Sequence, residues 1–137
     1  MLITQANDYA ARSLVFLAGQ PNNKAVPTKY IANELRIPYT FLAKIFQKLI
    51  KKGIIVSSKG LKGGVMLKNN AGKKNLKEIF HAVDGSPILR ECVFEDKACF
   101  LSSNCTVNRV LTKVQAYMDD EFEKATLEDL AELPDTL

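Results

Sequence analysis

Apolar residues recur along this chain in two periods, and the switches between them outline its elements. Over residues 6–19, Tyr9, Ala10, Leu14, Phe16, Leu17 and Ala18 form a broad helical face, which Gly19-Gln20-Pro21-Asn22-Asn23 stops. A short helix is expected over 28–35, opened by Pro27 and buried through Tyr30, Ile31 and Leu35. Arg36-Ile37-Pro38 ends it, because the residue before a proline is pushed away from helical backbone angles. The clearest periodicity covers 39–52. There Phe41, Leu42, Ile45, Phe46, Leu49 and Ile50 make one wide apolar stripe, and Thr40, Ala43, Lys44, Gln47, Lys48 and Lys51 face away from it. Gly53 suits the position just past a helix end, and Lys51 and Lys52 suit the negative end of the helix dipole. The period then shortens. Residues 54–58 and 65–68 are β-branched or apolar runs around the tip Lys59-Gly60-Leu61-Lys62-Gly63-Gly64, which predicts a β-hairpin.

A helix follows over 76–83, and Asp84-Gly85-Ser86-Pro87 terminates it. Thr106 starts a long helix reaching 124, about 28 Å at 1.5 Å per residue, with Val107, Val110, Leu111, Val114, Tyr117, Met118 and Phe122 at helical spacing. A short wing domain cannot cover so long a stripe, so a partner helix from a second copy is expected, beside packing on the first helix. Thr126 caps a short final helix. The expected fold class is therefore mainly α with a small β-hairpin. It comprises a winged helix-turn-helix over 1–84, a cysteine-bearing loop over 85–105, and a dimerisation helix with a C-terminal helix over 106–137.

Charge gives the first half a partner. Residues 1–74 hold thirteen Lys and Arg against only Asp8 and Glu34, a net +11, while the remainder carries −7 within an overall +4. Segregation of this size points to a polyanion, with a merely solvated basic surface as the bland alternative. Two helices joined by a short turn, the second polar and basic outward, follow helix-turn-helix logic and fit the major groove. The DNA-facing candidates are Tyr39, Thr40, Lys44, Gln47 and Lys48 on that helix, with Ser58, Lys59, Gly60, Lys62, Gly63 and Gly64 on the hairpin. The hairpin glycines permit close backbone approach to a ligand, and its lysines supply cations for the minor groove. A nucleotide-binding loop is the rival, but the spacing matches neither G-x-G-x-x-G nor the P-loop. No Ser-His-Asp set, HExxH or nucleotide motif is present, so an enzyme is not expected. A hydrophobic share of 47% supports a real core. No run approaches the roughly 20 apolar residues of a membrane span, and no signal peptide is evident at the N-terminus. An odd number of cysteines fits reduced thiols in a cytoplasmic protein.

All three cysteines lie between Cys92 and Cys105, spaced C-x₆-C-x₅-C. The paired C-x₂-C knuckles of structural zinc are absent. Three thiolates leave a four-cysteine iron–sulfur cluster one ligand short, which suggests a fourth ligand that is labile or not a thiolate. From the residues alone, a cluster, zinc or another metal, and unligated thiol chemistry all stay open.

At this point the chain resembles the Rrf-two (Rrf2) family of bacterial winged-helix transcription regulators over nearly its whole length. Leu2-Ile3-Thr4 through Asp8-Tyr9-Ala10-Ala11-Arg12 is similar to the family's first helix, and Ile31-Ala32-Asn33-Glu34-Leu35 with Ile37-Pro38-Tyr39-Thr40-Phe41-Leu42 to its helix-turn-helix. Lys52-Gly53-Ile54-Ile55 through Gly63-Gly64-Val65 is similar to its wing, and Ile79-Phe80-His81-Ala82-Val83-Asp84-Gly85 to the helix after it. The wing departs in carrying Lys59 for the usual Arg, Lys62 for Gly and Val65 for an aromatic. A lysine point charge lacks arginine's bidentate fork. The resemblance implies that Cys92, Cys99 and Cys105 ligate an iron–sulfur cluster, of either 2Fe-2S or 4Fe-4S type. Asn108 stands where one branch of the family has a ligating histidine, and the lone His81 lies upstream on a helix. Asp8 matches the aspartate that the nitric-oxide-sensing branch uses as fourth ligand. The expectation is a homodimeric regulator, a repressor, that binds a palindromic double-stranded operator and senses nitric oxide, redox state or iron–sulfur status. A cluster-free family member acting through cysteine oxidation or a protein partner is the alternative.

Overall fold

The computed structural model describes residues 2–21, 24–91 and 104–133. Cys92 and Cys99 lie outside the described residues. Helix α1 spans Gln5–Ala18, and the Thr4 hydroxyl accepts the Asn7 amide at 3.1 Å to satisfy one of its free N–H groups. Its inward face is Asn7, Ala10, Ser13, Leu14 and Leu17. Helices α2 (Thr28–Glu34) and α3 (Tyr39–Lys51) each begin directly after a proline and have no side-chain cap. Proline suits that place because the first turn's N–H groups have no helical acceptor anyway. Between them Arg36 takes φ +54°, and the Ile37 amide closes the turn on the Ala32 carbonyl at 2.9 Å. Ile31, Ala32, Ile37, Leu42, Ile45, Phe46 and Leu49 are buried there, so most of the expected apolar stripe of α3 is its core face, while Phe41 is half-buried and Ile50 is exposed.

Strands β1 (Ile55–Ser58) and β2 (Gly64–Leu67) pair antiparallel, with Ile55 opposite Leu67 and Ser58 opposite Gly64. Val26 adds a rung that the hydropathy pattern did not announce. Its N–H and C=O exchange bonds with Val65, both 2.9 Å, so the segment before α2 lies along β2. A 3-10 turn at Ala71–Lys73 leads to α4 (Leu76–Val83), which begins in a capping box. The Asn75 side chain accepts the Glu78 amide, and the Glu78 carboxylate accepts the Asn75 amide, both at 3.0 Å.

Helix α5 (Thr106–Lys124) differs from the single stripe expected for it. Phe122 packs edge-on against Phe80 of α4 at 5.2 Å, and Gln115 is the buried residue of the helix. Leu111, Met118 and Phe122 are half-buried on that side, whereas Val107, Val110, Val114 and Tyr117 are exposed. The apolar residues thus divide between an inward row and an outward row, and the inward row meets chiefly α4 rather than α1. Helix α6 (Leu127–Glu132), capped by Thr126, turns back onto α1 and buries Leu127 completely. Backbone bonds from Leu127 to Lys74 and from Leu76 to Ala125, each 3.0 Å, fasten this return to the start of α4. Among the described residues, no helix is long and apolar enough to cross a membrane.

Candidate nucleic-acid interface and the strap to the cysteine segment

Tyr39, Thr40, Lys44 and Gln47 are all exposed on α3, on the side opposite Leu42, Ile45, Phe46 and Leu49. No acidic residue occurs between Glu34 and Glu78, so α3 and the hairpin carry their lysines without a carboxylate of their own. On the hairpin, Ser58, Lys59, Gly60 and Lys62 are exposed. The glycines differ in what they do. Gly60 sits at φ +105° with open space around it. A Cβ on Gly63 would lie 2.5 Å from the Ser58 carbonyl oxygen, and one on Gly64, at φ +152°, 2.2 Å from the Val26 carbonyl oxygen. The close approach that Gly63 and Gly64 allow is therefore to the protein's own backbone, and it sets the shape of the wing.

Lys48 goes elsewhere. Its ammonium donates to the Val83 carbonyl at 3.1 Å and lies 4.0 Å from the Asp84 carboxylate, so it holds the C-terminal end of α4. That contact begins a series. The Asn7 amide of α1 donates to the Gly85 carbonyl at 3.2 Å. The Gln115 amide of α5 donates to the Pro87 carbonyl at 3.1 Å, and its oxygen accepts the Leu89 N–H at 2.9 Å. Alternate backbone groups from 83 to 89 are thus gripped in turn by α3, α1 and α5. Asn7 and Gln115 are 1% and 3% exposed, so the side-chain ends of these bonds are buried, and the Gln115–Pro87 bond is buried at both ends. Together they hold residues 83–89 as a strap, and residue 92 follows three positions beyond it. None of these four bonds has a sequence signature, because each joins a helix side chain to a distant backbone group.

Cys105 is half-buried and is the N-cap of α5, where its sulfur accepts the Asn108 amide at 3.4 Å. A sulfur at a helix N-terminus faces the free peptide N–H groups there, and N–H···S contacts of this kind are among those made to the cysteine ligands of iron–sulfur groups. In that respect Cys105 suits the implied iron–sulfur group. Asp8 is otherwise engaged, since both its carboxylate oxygens lie 2.9 Å from the Arg12 side chain one turn along α1. Serving as a ligand would require it to release at least one of those bonds. Asn108 also accepts a hydrogen bond from Thr112 at 2.9 Å, and His81 is exposed on α4. Among the described residues, no three His, Cys, Asp or Glu side chains gather into a metal site.

The profile of a family described as "Rrf2: Iron-dependent Transcriptional regulator" matches residues 3–133. The chain belongs to the Rrf2 family. The transcriptional regulator NsrR of Shouchella clausii is 33% identical over 131 residues, covering 95% of this chain and 88% of that protein. Two solved structures share the fold. The oxidised form of Staphylococcus aureus CymR superposes with TM-score 0.78 at 24% identity, over 99% of this chain and 100% of that one. CymR of B. subtilis, described as its global cysteine regulator, has TM-score 0.80 at 20% identity over 97% and 98% of the two chains. This Rrf2 protein is therefore a transcriptional regulator with a winged-helix fold, and DNA is the partner of such regulators. Residues 83–89 lie on the covalent route from α4 to Cys92.

Proposed function

We propose that this Rrf2 regulator is a homodimeric repressor whose hold on a palindromic duplex changes with the state of its cysteine segment. Supporting the DNA reading is the outward face of α3 beside an acid-free hairpin. Tyr39, Thr40, Lys44 and Gln47 would meet the major groove, with Ser58, Lys59, Gly60 and Lys62 at the wing. The outward row of α5 supports the dimer. Val107, Val110, Val114 and Tyr117 alternate in steps of three and four residues, the spacing of a two-helix seam. Cys92, Cys99 and Cys105 would hold an iron–sulfur cluster, with Asp8 the candidate fourth ligand. That group supplies a centre reactive toward oxidants or nitric oxide when bound.

The single observation that carries the sensing part is the strap. Cys105 opens α5, Gln115 of α5 grips residues 87 and 89, and Lys48 of α3 grips residue 83. A displacement of the cysteine segment therefore acts on the dimer helix and the recognition helix through the same seven residues. A second reading has its own support. The fold shared with CymR, solved in an oxidised form, supports a cluster-free regulator that acts through cysteine oxidation or a protein partner, in which the exposed Asp8–Arg12 pair need not open. Anaerobic purification followed by absorbance, iron and sulfide assay and Mössbauer spectroscopy, with Asp8→Ala beside wild type, separates the two. A brown, iron- and sulfide-bearing wild type with altered spectra in Asp8→Ala is expected. Colourless, iron-free protein removes the cluster, and unchanged spectra in Asp8→Ala remove Asp8 as a ligand.

A further inference from the structure

The tip of the wing carries an apolar side chain that folding leaves uncovered. Leu61 is 108% exposed, more than any other large hydrophobic side chain among the described residues. It stands at a corner that is built to present it. The Gly63 amide closes on the Gly60 carbonyl at 3.0 Å, which makes Leu61 and Lys62 the two central residues of a tight turn. Gly60 takes φ +105°, and Gly63 nests against the Ser58 carbonyl, so the tip is braced by its own backbone. The turn is also tied to the domain through the pair of backbone hydrogen bonds between Val65 and Val26.

An apolar side chain that folding leaves wholly in water gains free energy where a binding partner covers it. Its surroundings say what covers it. Lys59 precedes it and Lys62 follows, and a recess of about 380 Å³ beside the tip is lined by Lys24, Pro27, Ser58, Lys62 and Met66, with no carboxylate. A hydrophobic protein partner would meet four unmatched cations and polar groups around one leucine. A DNA minor groove offers the complementary arrangement, with apolar sugar walls at its centre and phosphates along both rims.

We propose that Leu61 is an apolar probe of the minor groove. It seats against the sugar walls and base edges at the groove floor while Lys59 and Lys62 reach the flanking phosphates and the Lys24–Ser58 recess receives the next one. This rests on the reading that α3 and the wing bind DNA, and it adds a sequence-sensing element to the wing. The minor groove distinguishes A·T from G·C mainly by the guanine N2 amino group, which would stand where Leu61 enters. The wing would then favour A·T steps at the positions it covers, without a hydrogen bond of its own.

The test uses full-length dimeric protein and the duplex that wild type itself selects from a random-sequence pool, with the wing-facing bases located by hydroxyl-radical footprinting. Adenines there are replaced by 2,6-diaminopurine, which adds the N2 amino group and leaves the major-groove edge unchanged. Wild type is expected to lose about tenfold in affinity on the modified duplex. Leu61→Ala is expected to lose about tenfold on the unmodified duplex and to change less than twofold on modification, with an unchanged melting temperature. Leu61→Ser should behave like Leu61→Ala. Equal sensitivity of wild type and Leu61→Ala to the amino group would overturn the proposal, as would wild-type affinity in Leu61→Ala. If wild type selects no duplex at all, the underlying DNA reading fails instead.

Discussion

Replacing Gln115 with leucine removes one side chain that joins α5 to the strap. In the native protein its amide makes three bonds: to the Leu89 N–H at 2.9 Å, to the Pro87 carbonyl at 3.1 Å and to the Asp119 carboxylate at 2.9 Å. Leucine fills a similar volume but leaves the first two backbone groups without a partner. Pro87 is buried, so its carbonyl is screened from solvent, whereas Ile88 is 40% exposed and water can reach the amide beside it. A buried unsatisfied group costs about 1–3 kcal/mol, and each lost bond to a group that regains water about 0.5–1.5 kcal/mol. Against this, burying leucine in place of an amide returns about 1 kcal/mol. The expected net loss is about 0.5–3.5 kcal/mol, centred near 2, or a fall in melting temperature of about 7 °C at that centre for a chain of 137 residues. Thermal unfolding followed by circular dichroism gives the first number, and amide hydrogen exchange at Leu89 the second. The Leu89 amide should exchange at least about tenfold faster in the variant, because its acceptor is gone. A melting point within about 2 °C of wild type, with unchanged exchange at Leu89, would refute the view that Gln115 holds the strap.

Other substitutions probe separate parts of the account. Gly64→Ala places a Cβ 2.2 Å from the Val26 carbonyl oxygen and should cost about 3 kcal/mol or more in chemical denaturation, whereas Gly60→Ala, in open space, should cost only about 1 kcal/mol from its backbone angle. The Glu78 carboxyl lies below its usual range because the Asn75 amide, and then Lys74, favour its charged form, despite an opposing effect of burial. Its contribution to stability is thus complete above the unfolded-state value near 4.5 and is lost as pH falls through the lower folded value. Glu78→Gln should therefore flatten the decline in stability below that pH in acid titrations of unfolding. Lys44→Gln should reduce the slope of log affinity against log salt by about one on a mixed-sequence duplex, while Lys48→Gln, whose ammonium is held at Val83, should leave that slope unchanged. Val110→Asp with Val114→Asp on the outward row of α5 should shift the protein to monomer in sedimentation equilibrium, without unfolding it.

Much of the fold was legible in residue order because its signals are local. Pro27 and Pro38 mark the starts of α2 and α3, the alternation around Gly60 to Gly64 marks the hairpin, and Thr126 marks α6. What escaped depends on long-range contacts between unlike groups. Asn7 and Gly85 are 78 residues apart, and no periodicity connects an amide side chain to one carbonyl. Lys48 reads as one more outward lysine until the end of α4 is seen beside it. The two rows of α5 merge in a pattern that counts apolar residues alone, and the buried Gln115 between Leu111 and Phe122 is the polar residue that separates them. The capping role of Cys105 follows from its place before Thr106, and the Asp8–Arg12 pair has a local signal in its i, i+4 spacing. Cys92 and Cys99 lie outside the described residues, so the ligand set is carried by spacing and family resemblance.

The central claim is that the cysteine segment governs DNA occupancy. It is tested most directly by measuring, under strict anaerobiosis, the affinity of as-isolated full-length protein for its pool-selected duplex, before and after exposure to air or a nitric-oxide donor. The same titration is run on a variant with Cys92, Cys99 and Cys105 all replaced by alanine. The account predicts a change of at least about tenfold in wild type and none in the triple variant, with both proteins folded. Affinities that stay the same in wild type, or that shift equally in the variant, would contradict it.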